Sequence, residues 1–162
     1  MAKVCSFTGH RLIKDSHKDA LPALLRRAIN YAYEQGCRRF ITGGALGFDT
    51  YAAKEVLRFR MSHPDVSLIL FLPCLDQDAG WSIRQKDSYE YVLQSADEVK
   101  YISESYTKTC MKRRNQAMAE ECDLMIAYVS RDYSGAAQTM RMALSLGKES
   151  YNLYPRLEKD SI

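Results

Sequence analysis

The sequence predicts an α/β domain in three layers, a mostly parallel central sheet flanked by helices. Three observations carry this expectation. Short apolar runs that read as buried strands alternate with stretches of helical period. The clearest run, Leu68 to Leu72, is unbroken, as in a central parallel strand covered on both faces. A length of 162 residues, 46% hydrophobic and 27% charged, suits one globular domain over residues 1–162 and argues against disorder or low-complexity sequence.

The elements follow in order. Lys3 to Phe7 is the first strand. Leu21, Leu24, Leu25, Ala28, Ile29 and Ala32 fall on one face of a helix that tolerates Pro22 in its first turn and stops at Gly36. Arg39 to Thr42 is the second strand, and Leu46 to about Met61 a helix turning Ala53, Val56 and Leu57 to the sheet. Ser67 to Leu72 is the central strand, ended by Pro73. Ser82-Ile83-Arg84-Gln85 is a capping-box pattern that opens a helix to about Ser95. A short strand at Glu98 to Ile102, a helix from Thr107 to Cys122, a strand from Leu124 to Val129, a helix from Gly135 to Leu146 stopped by Gly147, and a last strand at Glu149 to Leu153 complete the chain.

Composition excludes several classes of function. A net charge of +3 is far from the basic stripe of a dedicated nucleic-acid binder, which disfavours a nucleic-acid partner. No apolar run reaches the ~20 residues that cross a bilayer, and the N-terminus lacks a secretory apolar segment, so a cytoplasmic protein with no membrane partner is expected. Five cysteines, an odd count without a C-x-x-C pair, read as reduced thiols. There is no metal-ligand spacing, and His17 and His63 read as surface residues at helix ends. No cofactor is called for.

Open parallel sheets bind ligands beyond the carboxyl ends of their strands, so the strand-to-helix loops are the places to look. In Thr8-Gly9-His10-Arg11, Gly9 lets the backbone approach a ligand, Thr8 offers a hydroxyl, and Arg11 a fork for phosphate or carboxylate. In Gly43-Gly44-Ala45-Leu46-Gly47-Phe48-Asp49-Thr50, the glycines would turn backbone N–H groups toward an anion at a helix start. Asp49 either stabilises that helix end or accepts from a ribose hydroxyl. The loop is neither G-x-G-x-x-G nor a Walker A sequence, which argues against ATP hydrolysis.

Farther along, Met111, Asn115, Met118 and Cys122 form an inward stripe with Arg114 at its border, and a buried-side Asn beside an Arg needs partners, either a ligand or an internal salt bridge. Ser134-Gly135-Ala136-Ala137-Gln138-Thr139 is a second helix-start cradle. Trp81 either covers a base or packs beneath its loop. Cys74, beside Pro73, has neither a helix start nor a paired His to activate its thiol.

Taken in order, Phe7 to Arg11, Gly43 to Asp49, Pro73, Trp81, Arg114-Asn115 and Ser134 to Thr139 resemble the SLOG superfamily, the Rossmann-like group that includes the lonely-guy phosphoribohydrolases and DprA proteins, and most of all its YpsA-like group. The resemblance spans nearly the whole chain and implies a nucleotide-type ligand. In lonely-guy enzymes an Arg-Lys pair precedes a Met by four residues and a Pro-Gly-Gly-x-Gly-Thr-x-x-Glu loop presents the catalytic glutamate. Arg114 matches that Arg, Asn115 replaces the Lys, and Met142 occupies the glutamate position, where it has no acid or base to offer. Asp49 or Glu55 is then the carboxylate on offer, with Asp49 and Arg114 as candidate catalytic residues.

The leading expectation is binding, or sensing, of a nucleotide or nucleotide-derived ligand such as ADP-ribose. Gly43, Gly44, Gly47, Ser134, Gly135 and Thr139 would hold phosphate, Asp49 ribose, and Arg11 and Arg114 the remaining charge. The alternatives are N-glycosidic cleavage of a nucleoside monophosphate, and DprA-like binding of single-stranded DNA through Lys112, Arg113 and Arg114. Superfamily enzymes often pair through helices, which makes a homodimer the implied assembly.

Overall fold

The computed structural model describes residues 2–130 and 133–160. Six strands alternate with helices: β1 (Lys3–Gly9), α1 (Leu21–Glu34), β2 (Cys37–Thr42), α2 (Phe48–Arg60), β3 (Ser67–Leu72), α3 (Ile83–Ser95), β4 (Glu98–Tyr101), α4 (Cys110–Glu121), β5 (Leu124–Tyr128), α5 (Gly135–Ser145), β6 (Glu149–Asn152) and α6 (Tyr154–Asp160). Every strand pairing is parallel, in the order β4-β3-β2-β1-β5-β6. The expected three-layer Rossmann-like sheet is what the chain forms.

Strand alternation sorts side chains into two unequal layers. Phe7, Phe40, Leu68, Leu70, Leu72, Ile126 and Tyr128 join α1, α2, α3 and α6 in one large core. The intervening residues Ile41, Ile69 and Phe71 meet Met118 of α4, while Met125 and Ala127 meet the α5 side. Leu68 to Phe71 are at most 4% exposed, which is why that run carries no polar alternation.

The structure moves several boundaries. Strand β1 runs on to Gly9, because Cys5 to Gly9 are register partners of Leu124 to Tyr128. Helix α2 starts at Phe48, since Gly47 at φ +78° sits outside helical space. Helix α6 was not expected, because seven residues with one deeply buried leucine, Leu157, show no period. His17 is a correction. It lies in a 3-10 turn at Asp15–His17, is fully buried, and its Nδ1 is 2.7 Å from the Tyr128 hydroxyl. An aromatic cluster of His10, His17, Tyr128 and Tyr154 surrounds it and seats α6 against the segment after β1.

Strand order reverses at β1, whose neighbours are β2 and β5. Side chains beyond the carboxyl ends of β1 and β5 therefore face an opening between connections that leave in opposite directions.

Candidate functional site

A crevice of about 330 Å³ occupies that opening. Its walls are Thr8 to Arg11 from β1 and its loop, Ala45 and Asp49 from the β2–α2 turn, Met111, Arg114, Asn115 and Met118 from α4, and Ser134 to Ala136 at the start of α5. Nine of the residues picked out in the sequence thus converge: Thr8, Gly9, His10, Arg11, Asp49, Arg114, Asn115, Ser134 and Gly135.

Two ionic side chains set its chemistry. Arg114 is 4% exposed, and its Nη1 donates to the carbonyls of Gly43 at 2.6 Å and Phe71 at 3.4 Å. Its Nε donates to Asn115 Oδ1 at 2.7 Å. Asp49 is 6% exposed; Oδ2 accepts from the Ala45 N–H at 3.2 Å, while the buried Oδ1 has no partner. Burial pushes the Asp49 carboxyl up to about 6, against the opposing pull of the Arg114 and Arg11 charges. The same burial lowers the Arg114 guanidinium from its ordinary value.

Gly43 separates the two charges. A Cβ there would lie 2.5 Å from Arg114 Nη1 and 2.9 Å from Asp49 Oδ2, so only glycine leaves room for both.

The inward face of α4 keeps Met118 and Cys122 as expected, but in its first half Cys110 and Arg114 take the places expected for Met111 and Asn115. Cys110, Arg114, Met118 and Cys122 are buried, whereas Met111 and Asn115 are half-buried. Hydrophobic period counted Arg114 as a border residue because it could not register the carbonyls at the ends of β2 and β3 that hold the guanidinium. Asn115 instead spans toward α5, with its Nδ2 beside Gly135.

At α5, Ser134 caps the helix by accepting from the Ala137 N–H at 3.1 Å, and Gly135 and Ala136 present the first turn to the crevice. The first N–H groups of a helix have no intrahelical acceptor, so this end suits an anion. Thr139 lies deeper, 1% exposed, with its hydroxyl donating back to the Gly135 carbonyl at 2.7 Å.

The β2–α2 turn uses three of its N–H groups internally. Gly44 N donates to Thr42 Oγ1 at 3.3 Å, Ala45 N to Asp49, and Phe48 N to the His10 carbonyl at 3.1 Å. This turn builds part of the crevice wall, with these three N–H groups spent within the protein. Gly44 at φ +67° packs on Leu72, and Gly47 meets the backbone of Arg11, while Thr50 faces away from the crevice.

Other expected residues sit elsewhere. Trp81 packs edge-on against Tyr89, 5.0 Å between centroids, on the α3 side. Pro73 is buried and its carbonyl accepts from Ser103 N at 3.1 Å. Burial pushes the neighbouring Cys74 thiol up to about 11, which removes it as a nucleophile. Glu55 is paired with Arg58 at 3.0 Å and Arg26 at 3.6 Å and does not line the crevice. Met142 packs against the cluster of Cys122, Met125 and Ala143.

His10 is a scaffold group on this geometry. Its Nε2 accepts from the Ser130 N–H at 2.9 Å, which ties the β1 loop to the end of β5. Ala45 and Ala136 line the crevice through backbone and methyl groups, for which residue type gave no signal.

A family model described as the YspA SLOG family, YpsA, matches residues 8–156. The chain belongs to the YspA SLOG family. Its curated relatives include UPF0398 proteins of Bacillus thuringiensis (strain Al Hakam) and Bacillus cereus (strain Q1), each 28% identical over 163 positions that cover 94% of this chain and 89% of the relative. Among solved structures, DprA of Streptococcus pneumoniae matches with a TM-score of 0.65 at 18% identity, over 93% of this chain and 49% of that one. The YspA SLOG chain thus spans about half the length of the pneumococcal protein. DprA of Helicobacter pylori, described by its single-stranded DNA binding mode, matches with a TM-score of 0.63 at 20% identity, over 98% of this chain and 73% of that one. These likenesses establish the fold. Among the described residues, no helix is long and apolar enough to cross a membrane.

Proposed function

We propose that this SLOG protein binds a nucleotide or nucleotide-derived ligand, such as ADP-ribose, in the crevice between β1 and β5. One observation carries the reading: the buried, unpartnered Asp49 Oδ1 on the wall of a crevice that also holds the start of α5. A buried polar atom without a partner is costly, and a ribose hydroxyl donating to it removes that cost. Phosphate then sits at the N–H groups of Gly135 and Ala136, with Asn115 Nδ2 and Arg11 as further donors. Arg114 sets the local field but gives its Nη1 and Nε hydrogen bonds to protein acceptors. SLOG membership and the DprA-like fold support this type of function at a coarse level.

Calorimetric titration with AMP, ADP, ADP-ribose and NAD tests it. The expected result is binding of at least one, weakened by Asp49→Ala without loss of the fold; unchanged affinity in the variant would overturn the assignment. The N-glycosidase alternative leaves Asp49 as the carboxyl in the crevice, and a carboxyl at about 6 is suited to proton transfer. Chromatography after long incubation with AMP or NAD decides it, because release of free base or nicotinamide is required. DprA-like binding of single-stranded DNA loses Arg114 to the interior, whereas Lys112 and Arg113 stay exposed. A mobility shift at low salt tests that reading. Light scattering tests the homodimer that the superfamily resemblance implies.

A further inference from the structure

A second, larger groove adjoins the crevice, and nothing in the reading above uses it. It measures about 950 Å³ and lies between the segment after β1, the first half of α2 and the start of α3. Its lining carries four cations, Arg11, Lys18, Lys54 and Arg84, and no carboxylate. Lys18 is paired with Asp15 at 2.8 Å; Arg11, Lys54 and Arg84 are exposed and have no carboxylate partner among the described residues. Ser88 Oγ, also in the lining, is buried without a partner. Tyr51 and Leu12, the latter 87% exposed, add apolar surface.

Crevice and groove meet at Arg11, which lines both. Consecutive residues of the first turn of α2 face opposite sides of the junction, Asp49 toward the crevice and Thr50 toward the groove. The junction is fixed in place. The backbone of Arg11 lies directly against Gly47, and Phe48 N donates to the His10 carbonyl. Two sites with positive character, joined through one arginine and separated by a single helical turn, suit a ligand with two anionic centres.

We infer that the ligand continues from the crevice into the groove, and that its class is phosphodiester-linked nucleotides, the second phosphate resting on Lys54 and Arg84. The second unit stacks or packs on Tyr51 and Leu12 and can donate to Ser88 Oγ. This rests on the crevice reading for the first nucleotide. The same chemistry is offered by a free dinucleotide or by the phosphorylated end of a single strand.

The experiment is calorimetric titration of the full chain with AMP, with the linear 5′-phosphorylated dinucleotide pApA, and with a 5′-phosphorylated ten-residue oligoadenylate. It uses the wild type and a Lys54→Gln, Arg84→Gln double variant. Both residues are exposed and neither lines the crevice, so the fold and the AMP site are left intact. The expected result is pApA binding about tenfold tighter than AMP in the wild type, a difference of about 1.4 kcal/mol that the double variant abolishes without changing AMP affinity. The salt dependence of pApA binding is also steeper, by about 0.7 in the log–log slope for the added phosphate contact. Equal affinity of the ten-mer and pApA identifies a free dinucleotide; a further large gain for the ten-mer identifies a strand end. Equal binding of AMP and pApA by the wild type, or equal weakening of both in the variant, overturns the inference. If no nucleotide binds, inorganic tripolyphosphate separates the two failures. Binding that the double variant loses keeps the groove as an anion site while the crevice reading falls, and no binding removes both.

Discussion

Asp49→Asn is expected to make the protein more stable at neutral pH while weakening its ligand affinity. The folded carboxyl titrates at about 6 against an ordinary value of 3.8, a gap of about two pH units whose first cause is burial. Each unit corresponds to 1.36 kcal/mol, so holding Asp49 ionised in the fold costs about 3 kcal/mol. Below about pH 4 both folded and unfolded forms are protonated, and the cost is absent. Between about pH 4 and pH 6 the unfolded chain releases its proton first, the folded chain binds more protons, and stability falls as pH rises. Above about pH 6 the full cost remains. Asparagine cannot ionise, and its Oδ1 can still accept from the Ala45 N–H. Urea denaturation of both proteins across this range should show the variant gaining about 3 kcal/mol on the wild type above pH 6, and nothing near pH 4. In a melting experiment the gain is roughly 6–12 °C for a domain of this size. Other carboxyls cancel in the difference. A gap independent of pH, or a variant less stable than wild type at pH 8, would refute the argument.

Three further outcomes follow from the same geometry. Arg114→Leu should destabilise by about 3–5 kcal/mol, since it leaves the Gly43 carbonyl and the Asp49 charge without their cation, and part of that loss should disappear in combination with Asp49→Asn, measured as a double-mutant cycle by urea denaturation. Gly47→Ala places a methyl group on the backbone of Arg11 at a φ of +78°, and should cost at least about 1–3 kcal/mol in the same assay. Leu157→Ala should cost about 2–5 kcal/mol, because this 2%-exposed residue joins Tyr154 in holding α6 to the core; an effect below 1 kcal/mol would mean that the helix is not docked as described.

The fold was legible because its signals are local and repetitive. Alternating apolar runs and helical stripes reported β1 to β6 and α1 to α5, since each residue's burial depends mostly on its own element. The crevice was half legible. Loop position at strand ends pointed to Thr8–Arg11, Asp49 and Ser134–Gly135, because parallel sheets put those ends together. The direction of each group was not legible. Gly43 and Gly44 were picked out as a phosphate cradle, and their nearest side-chain neighbours include Arg114, Asp49 and Leu72, residues six to seventy-one positions away that only the folded sheet brings near. The groove cations Lys54 and Arg84 carried no signal at all, because single exposed cations on separate helices are indistinguishable from solvated surface until the helices are placed.

The group of unfavourable features around Asp49 supports the proposal that the crevice binds a ligand. Although single buried polar atoms without a hydrogen-bond partner also lie at His17, Glu55, Gln77, Ser88 and Ser150, much of the chain obeys its local rules: the central strand β3 is apolar on both faces, α3 has a reciprocal capping box, and α5 is capped by Ser134. Around Asp49 it departs from them, with a buried carboxyl short of one partner, a buried guanidinium weakened by desolvation, and a glycine required between the two. Apolar residues of similar volume would fill this space at equal or better stability. A cost of about 3 kcal/mol at the point where strand order reverses supports the ligand site proposed there.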